Sequence, residues 1–187
     1  MRAHRITAAL VAIAAAGLLA LGTAADGAPA HRPAIRFADG VPDDVQQLAL
    51  RTWDEFLTAF PARTGCLPDV TLASAWTSRR KGHYDPELRV VTIRIPGTAP
   101  NLSATMVHEF AHHLDFSCPD RPLRRAFLAD QGLPAGSYWR HGPSWDAVPA
   151  EQFAQAVIPV VLGPQPDLGI VVRPASLRDI RAWARGD

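Results

Sequence analysis

Two histidines four residues apart bracket an acid in the segment Met106-Val107-His108-Glu109-Phe110-Ala111-His112-His113-Leu114-Asp115. On a helix, residues four apart share one face, separated by about 6 Å along the axis. Two imidazoles so placed, His108 and His112, can grip one zinc ion. Glu109 follows the first of them and points beside the metal. Its carboxylate can there take a proton from zinc-bound water, whose pKa the ion lowers toward neutrality. The ion also polarises a scissile carbonyl. The implied chemistry is hydrolysis by zinc-activated water, with Glu109 as general base. The bare pattern also occurs by chance in core helices. Here apolar flanks, a preceding strand-like run and a leader-like N-terminus set it apart from a surface histidine pair.

A catalytic zinc site needs a third protein ligand and an open position. Three residues compete. Glu151, in Pro149-Ala150-Glu151-Gln152-Phe153-Ala154, can present a carboxylate from a second helix packed against the first. Cys118 stands six residues after His112, where some zinc peptidases place a third ligand. Those turn the chain with a glycine three residues after the second histidine, a position held here by Asp115. Asp115 lies three residues after His112 on the same helix, a less favourable position for a metal gripped one turn earlier by His108 and His112. Glu151 is the favoured ligand, with Asp115 and Cys118 left open.

The runs HEFAHHLD and PAEQFA together resemble the gluzincin metallopeptidases, and within them the pattern is most similar to the Mlc titration factor peptidases. The resemblance spans Val107 to Val157. It implies His108, His112 and Glu151 as zinc ligands and Glu109 as base. It also implies a zincin-like single domain: α+β, with a small mostly antiparallel or mixed sheet packed on the active-site helix and on a second, Glu-bearing helix. In such enzymes a Tyr or His often donates to the oxyanion, which makes Tyr138 and His141 catalytic candidates. Gln155 can reach a ligand histidine. His113 faces about 100° away from His112 and is expected to be structural. His83 and His31 carry no signal.

The elements that must position these groups follow from periodicity. Val45, Leu48, Ala49, Trp53, Phe56, Leu57 and Phe60 recur at helical spacing between Pro42-Asp43-Asp44 and Pro61. Short strands are expected at 34–39 and 70–73. Ser78 to Asp85 reads as a polar turn. Leu88 to Ile95 alternates apolar and polar residues, which predicts a strand, and it is the candidate edge for an extended peptide. Asn101 or Ser103 is expected to cap the histidine-bearing helix, which Cys118-Pro119 stops. A short helix from Arg121 to Asp130 leads into a long loop, Gln131 to Pro149, whose Tyr138, Trp139 and Trp145 argue for order. A helix from Ala150 to Leu162 contains Pro159 as a stop or kink. A short strand is expected at 170–172 and a last helix from Ser176 to Ala184, with Ser176 and Asp179 as a capping box.

The chain's ends and its charge bound the setting. The 187 residues suffice for one domain with a real core. Nineteen basic residues against eighteen acidic give no electrostatic case for nucleic acid. Arg2, His4 and Arg5 precede an apolar run, Ile6 to Gly22, and then small residues, the layout of a signal peptide over 1–30 cleaved after Ala25 or Ala30. The remaining 31–187 is expected to be a soluble monomer, secreted and without stable membrane association. Cys66 and Cys118 are expected to pair in that oxidising setting. The partner is then a peptide or protein substrate. A non-catalytic extracellular zinc module is the alternative, and a closed site with Cys118 bound would mark it. An amidase acting on cell-wall peptides shares the chemistry.

Overall fold

The computed structural model describes residues 31–164, 170 and 172–187. The expected signal peptide lies outside them, as does Val171 of the strand expected at 170–172. Alternating branched residues build the centre of a four-stranded sheet ordered β1-β2-β4-β3. The strands are β1 Ile35–Phe37, β2 Val70–Ala75, β3 Gly82–Asp85 and β4 Val90–Arg94. Val91 and Ile93 of β4 are wholly buried, as alternation requires. β1, β2 and β4 run parallel, and β3 is antiparallel to β4. The sheet is therefore mixed, not mostly antiparallel.

Two sequence expectations change here. Leu88 and Arg89 belong to the turn before β4, where Asp85 Oδ1 accepts from the Glu87 and Leu88 N–H groups at 2.9 and 3.0 Å. The expected polar turn at 78–85 instead ends in β3. This strand pairs with β4 on one side only, and Tyr84 is its one buried residue. A one-sided strand needs no apolar alternation, so its sequence hides it. β4 is therefore interior, and β3 is the edge strand on that side of the sheet.

The helices are α1 Asp43–Ala59, α2 Ala99–Ser117, α3 Arg121–Gln131, α4 Pro149–Val161 and α5 Pro174–Arg185. α2 lies against β3, β4, α1 and α4. Its apolar stripe, Leu102, Met106, Val107, Phe110, Ala111 and Leu114, is buried. The Phe110 ring meets Trp53 of α1 edge-on, with centroids 4.8 Å apart. α2 starts earlier than expected because Pro100 falls in its first turn, where its fixed φ suits a helix. Asn101 and Ser103 thus stand inside the helix, and the N-cap Thr98 makes no side-chain cap bond. α5 likewise begins at Pro174. Ser176, expected as a cap, is buried and accepts from Gln131 Nε2 at 3.0 Å. Pro159 stands inside α4 near its end, and the helix runs to Val161.

Cys66 and Cys118 form a disulfide. It ties the C-terminal end of α2 to the 3₁₀ turn Pro61–Cys66 across a sequence separation of 52. Closing a loop of that size stabilises the fold by about 2–4 kcal/mol through the unfolded chain. No helix among the described residues is long and apolar enough to cross a membrane.

Candidate metal centre

Helix α2 presents His108 and His112 one turn apart, and α4 packs beside it with Glu151 in its first turn. Three donor atoms converge. His108 Nε2 lies 2.9 Å and His112 Nε2 3.3 Å from Glu151 Oε2, and the two ring nitrogens are 3.2 Å apart. His112 and Glu151 are 39 residues apart in the chain, so packing of helices, not local sequence, closes the triangle. Ligand atoms about 2.0–2.1 Å from a tetrahedral zinc ion stand about 3.3 Å from one another. Two imidazole nitrogens and one carboxylate oxygen at these separations therefore fit three ligands of one ion. Among the described residues this is the group of histidine, cysteine and acidic side chains able to hold a metal.

Glu151 is held anionic there. Burial pushes its carboxyl up, but hydrogen bonds and charge from His108 and His112 outweigh this and bring it well below the usual range. Glu109 has the opposite fate. Burial raises its carboxyl to about 7, with His108 opposing and the Glu151 charge reinforcing the shift. A bound cation would draw it down again. Glu109 packs against β3 at Gly82. A Cβ on Gly82 would stand 2.5 Å from Glu109 Oε1 and 2.7 Å from the Thr105 methyl. The glycine is what lets the edge strand approach the acid so closely. His108, His112, Glu109 and Glu151 line one cavity of about 840 Å³, which opens between α2, α4 and β3.

The other two third-ligand candidates are engaged elsewhere. Cys118 is in the disulfide. Asp115 is buried, and its Oδ1 accepts from Arg124 Nε and Nη2 at 2.9 and 2.6 Å. Its Oδ2 accepts from Trp139 Nε1 at 3.0 Å and Arg140 Nη2 at 2.8 Å. It orients the loop that leads to Glu151: the Trp139 carbonyl accepts from the Ala150 N–H at 2.9 Å.

Compared with family models, with curated proteins and with solved structures, the chain gives no match. The function therefore rests on the geometry of the site.

That geometry does not bring every sequence candidate together. Tyr138 is 78% exposed, stacks edge-on with exposed His141, and neither lines the cavity. The long loop points them outward because its inner anchors are Trp139 and Arg140, held by Asp115. Gln155 is buried and does line the cavity. His113 is wholly buried and off the site. Its Nε2 faces the Pro68 carbonyl at 3.1 Å and must donate, so Nδ1 accepts from the Tyr84 hydroxyl at 2.9 Å. Burial lowers its pKa to about 4 and keeps it neutral.

Sequence reasoning missed two parts of the cavity. Trp145, in the 3₁₀ turn Trp145–Ala147, sets its ring 6.0 Å from that of His108. The available signal was a tryptophan in a long loop expected to be ordered. The segment Arg80 to Tyr84, read as a polar turn, forms one wall, and His83 is part of it. The cationic run Arg79-Arg80-Lys81 was the available signal.

Proposed function

We propose that this protein is a secreted, zinc-dependent metallopeptidase of gluzincin type, hydrolysing peptide bonds with Glu109 as general base. The observation that carries the reading is the convergence of His108, His112 and Glu151 donor atoms beside a buried acid in an open cavity. His108, His112 and Glu151 would hold zinc. The ion, when bound, supplies Lewis acidity toward the substrate carbonyl and makes a water nucleophilic near neutral pH.

The chain's own residues do the rest. The Glu109 carboxylate accepts the proton of the attacking water and returns it to the leaving nitrogen. The unpaired side of β3 offers main-chain donors and acceptors to an extended peptide beside Glu109. Trp145 walls the cavity over His108 and reduces access of bulk water to the reacting bond. The disulfide fits an oxidising compartment, and the first thirty residues fit export.

Glu109→Gln tests this directly. The variant should retain zinc by elemental analysis and lose about 10²- to 10⁴-fold in peptide hydrolysis. Full activity in the variant would overturn the mechanism. Glu151→Ala should lower zinc occupancy, and unchanged metal content would remove Glu151 from the ligand set.

A further inference from the structure

One wall of the cavity is cationic. Arg80 and Lys81 lead into β3, Arg94 ends β4, and all three line the cavity as exposed side chains. The Arg94 N–H donates to the Lys81 carbonyl at 2.8 Å, which holds the two segments side by side. Among the described residues, none of the three side chains has an ion pair or hydrogen bond. Arg36, Arg124 and Arg140, by contrast, are each engaged by an aspartate. Among the described residues, the acids lining the cavity are Glu109 and Glu151 alone; the Arg80 charge acts on Glu109 through space, and the proposed function commits both acids.

A run of cations is most often a solvated face. This one lies along the edge strand that would seat the substrate, on a concave surface that focuses its field. The guanidinium forks of Arg80 and Arg94 match a carboxylate in two-point geometry. We propose that the substrates are acidic peptides, whose Asp or Glu side chains flanking the scissile bond are held by Arg80, Lys81 and Arg94. This inference rests on the peptidase reading and adds the substrate class. Exposed pairs are individually weak, so three together should give on the order of 10- to 100-fold preference in kcat/KM.

The test uses zinc-loaded protein and quenched fluorescent peptides of one alanine-rich frame, all amidated at the C-terminus. Two positions flanking the centre are both Glu, both Gln or both Lys. A fourth peptide carries Gln and a free C-terminal carboxylate. The expected order is Glu over Gln over Lys, compressed by added salt. Arg80→Glu combined with Lys81→Glu should reverse that order while zinc content and circular dichroism stay unchanged. Binding of the same labelled peptides to Glu109→Gln protein, read by anisotropy, should show the same preference without cleavage. Glu109-dependent cleavage with no charge preference overturns the acidic-substrate inference and leaves the peptidase intact. Preference that follows the free terminus instead of the Glu side chains also overturns it. Acid-selective binding with no cleavage by the unaltered protein overturns the substrate inference together with the peptidase reading.

Discussion

On one face of α2, His112 turns its Nε2 toward His108 and Glu151 at the edge of a cavity. On another face, His113 is sealed between Tyr84 and Pro68, with both ring nitrogens bonded. The two residues are chemically identical and adjacent. Helical rotation separates them by about 100°, and what each meets there decides its chemistry. His112 turns a ring nitrogen able to ligate a cation toward an anionic carboxylate. His113 has spent its donor and its acceptor on neutral partners, which makes it a strut between α2, β3 and the approach to β2.

Exchanging the fates of these histidines is the sharpest way to break the comparison. His112→Ala should reduce bound zinc to trace level and abolish hydrolysis, with little change in the unfolding of the metal-free protein. His113→Ala should leave zinc stoichiometry intact and lower the unfolding free energy by about 3 kcal/mol, from the cavity and the stranded Tyr84 hydroxyl and Pro68 carbonyl. Metal analysis and urea melts of both variants check this, and loss of zinc in the His113 variant alone would refute it.

Acid should sharpen the same contrast. The unfolded chain protonates His113 near pH 6.5, whereas the folded chain resists until about pH 4. Its contribution to stability is thus complete above pH 6.5 and is lost as pH falls toward 4. The amount lost is on the order of 3 kcal/mol. Glu109, raised by burial in the metal-free protein, acts with the opposite sign, so the effect must be read as a difference. The stability advantage of the unaltered protein over His113→Gln, a substitute that cannot titrate, should shrink between pH 7 and 4. A constant gap across that range would show that His113 is not buried neutral.

The smallest expected effect concerns Asp115, on the turn after both histidines. Asp115→Asn should cost about 2 kcal/mol by weakening its charged partners Arg124 and Arg140. It should also make the loop before α4 easier to cleave in limited proteolysis, and raise KM more than it lowers kcat. Unchanged proteolysis would show that the loop is held without it.

How much of this was legible depended on range. The α2 histidines, Glu109 and the buried stripe of α2 follow from 3.6-residue periodicity, which is local. Glu151 was legible as a short motif on a second helix, though its choice over Asp115 and Cys118 waited on the packing of α4. Tyr138 and His141 sat in the right loop and were turned outward, because no local rule says which of Tyr138, Trp139 and Arg140 faces Asp115. β3 was invisible, since a four-residue edge strand with one buried side chain has no period to read.

From its sequence alone, this protein is committed to a helix carrying His108, Glu109 and His112, a second helix with Glu151 in its first turn, and two cysteines available to pair. Spacing along a helix is set by backbone geometry, so these properties travel with the residues themselves. Only the tertiary structure decided that Glu151 meets the histidines, that Gly82 brings the edge strand against Glu109, and that Arg80, Lys81 and Arg94 share a wall. Those juxtapositions arise from the burial of apolar faces many residues apart, and side-chain packing, not local spacing, selects them.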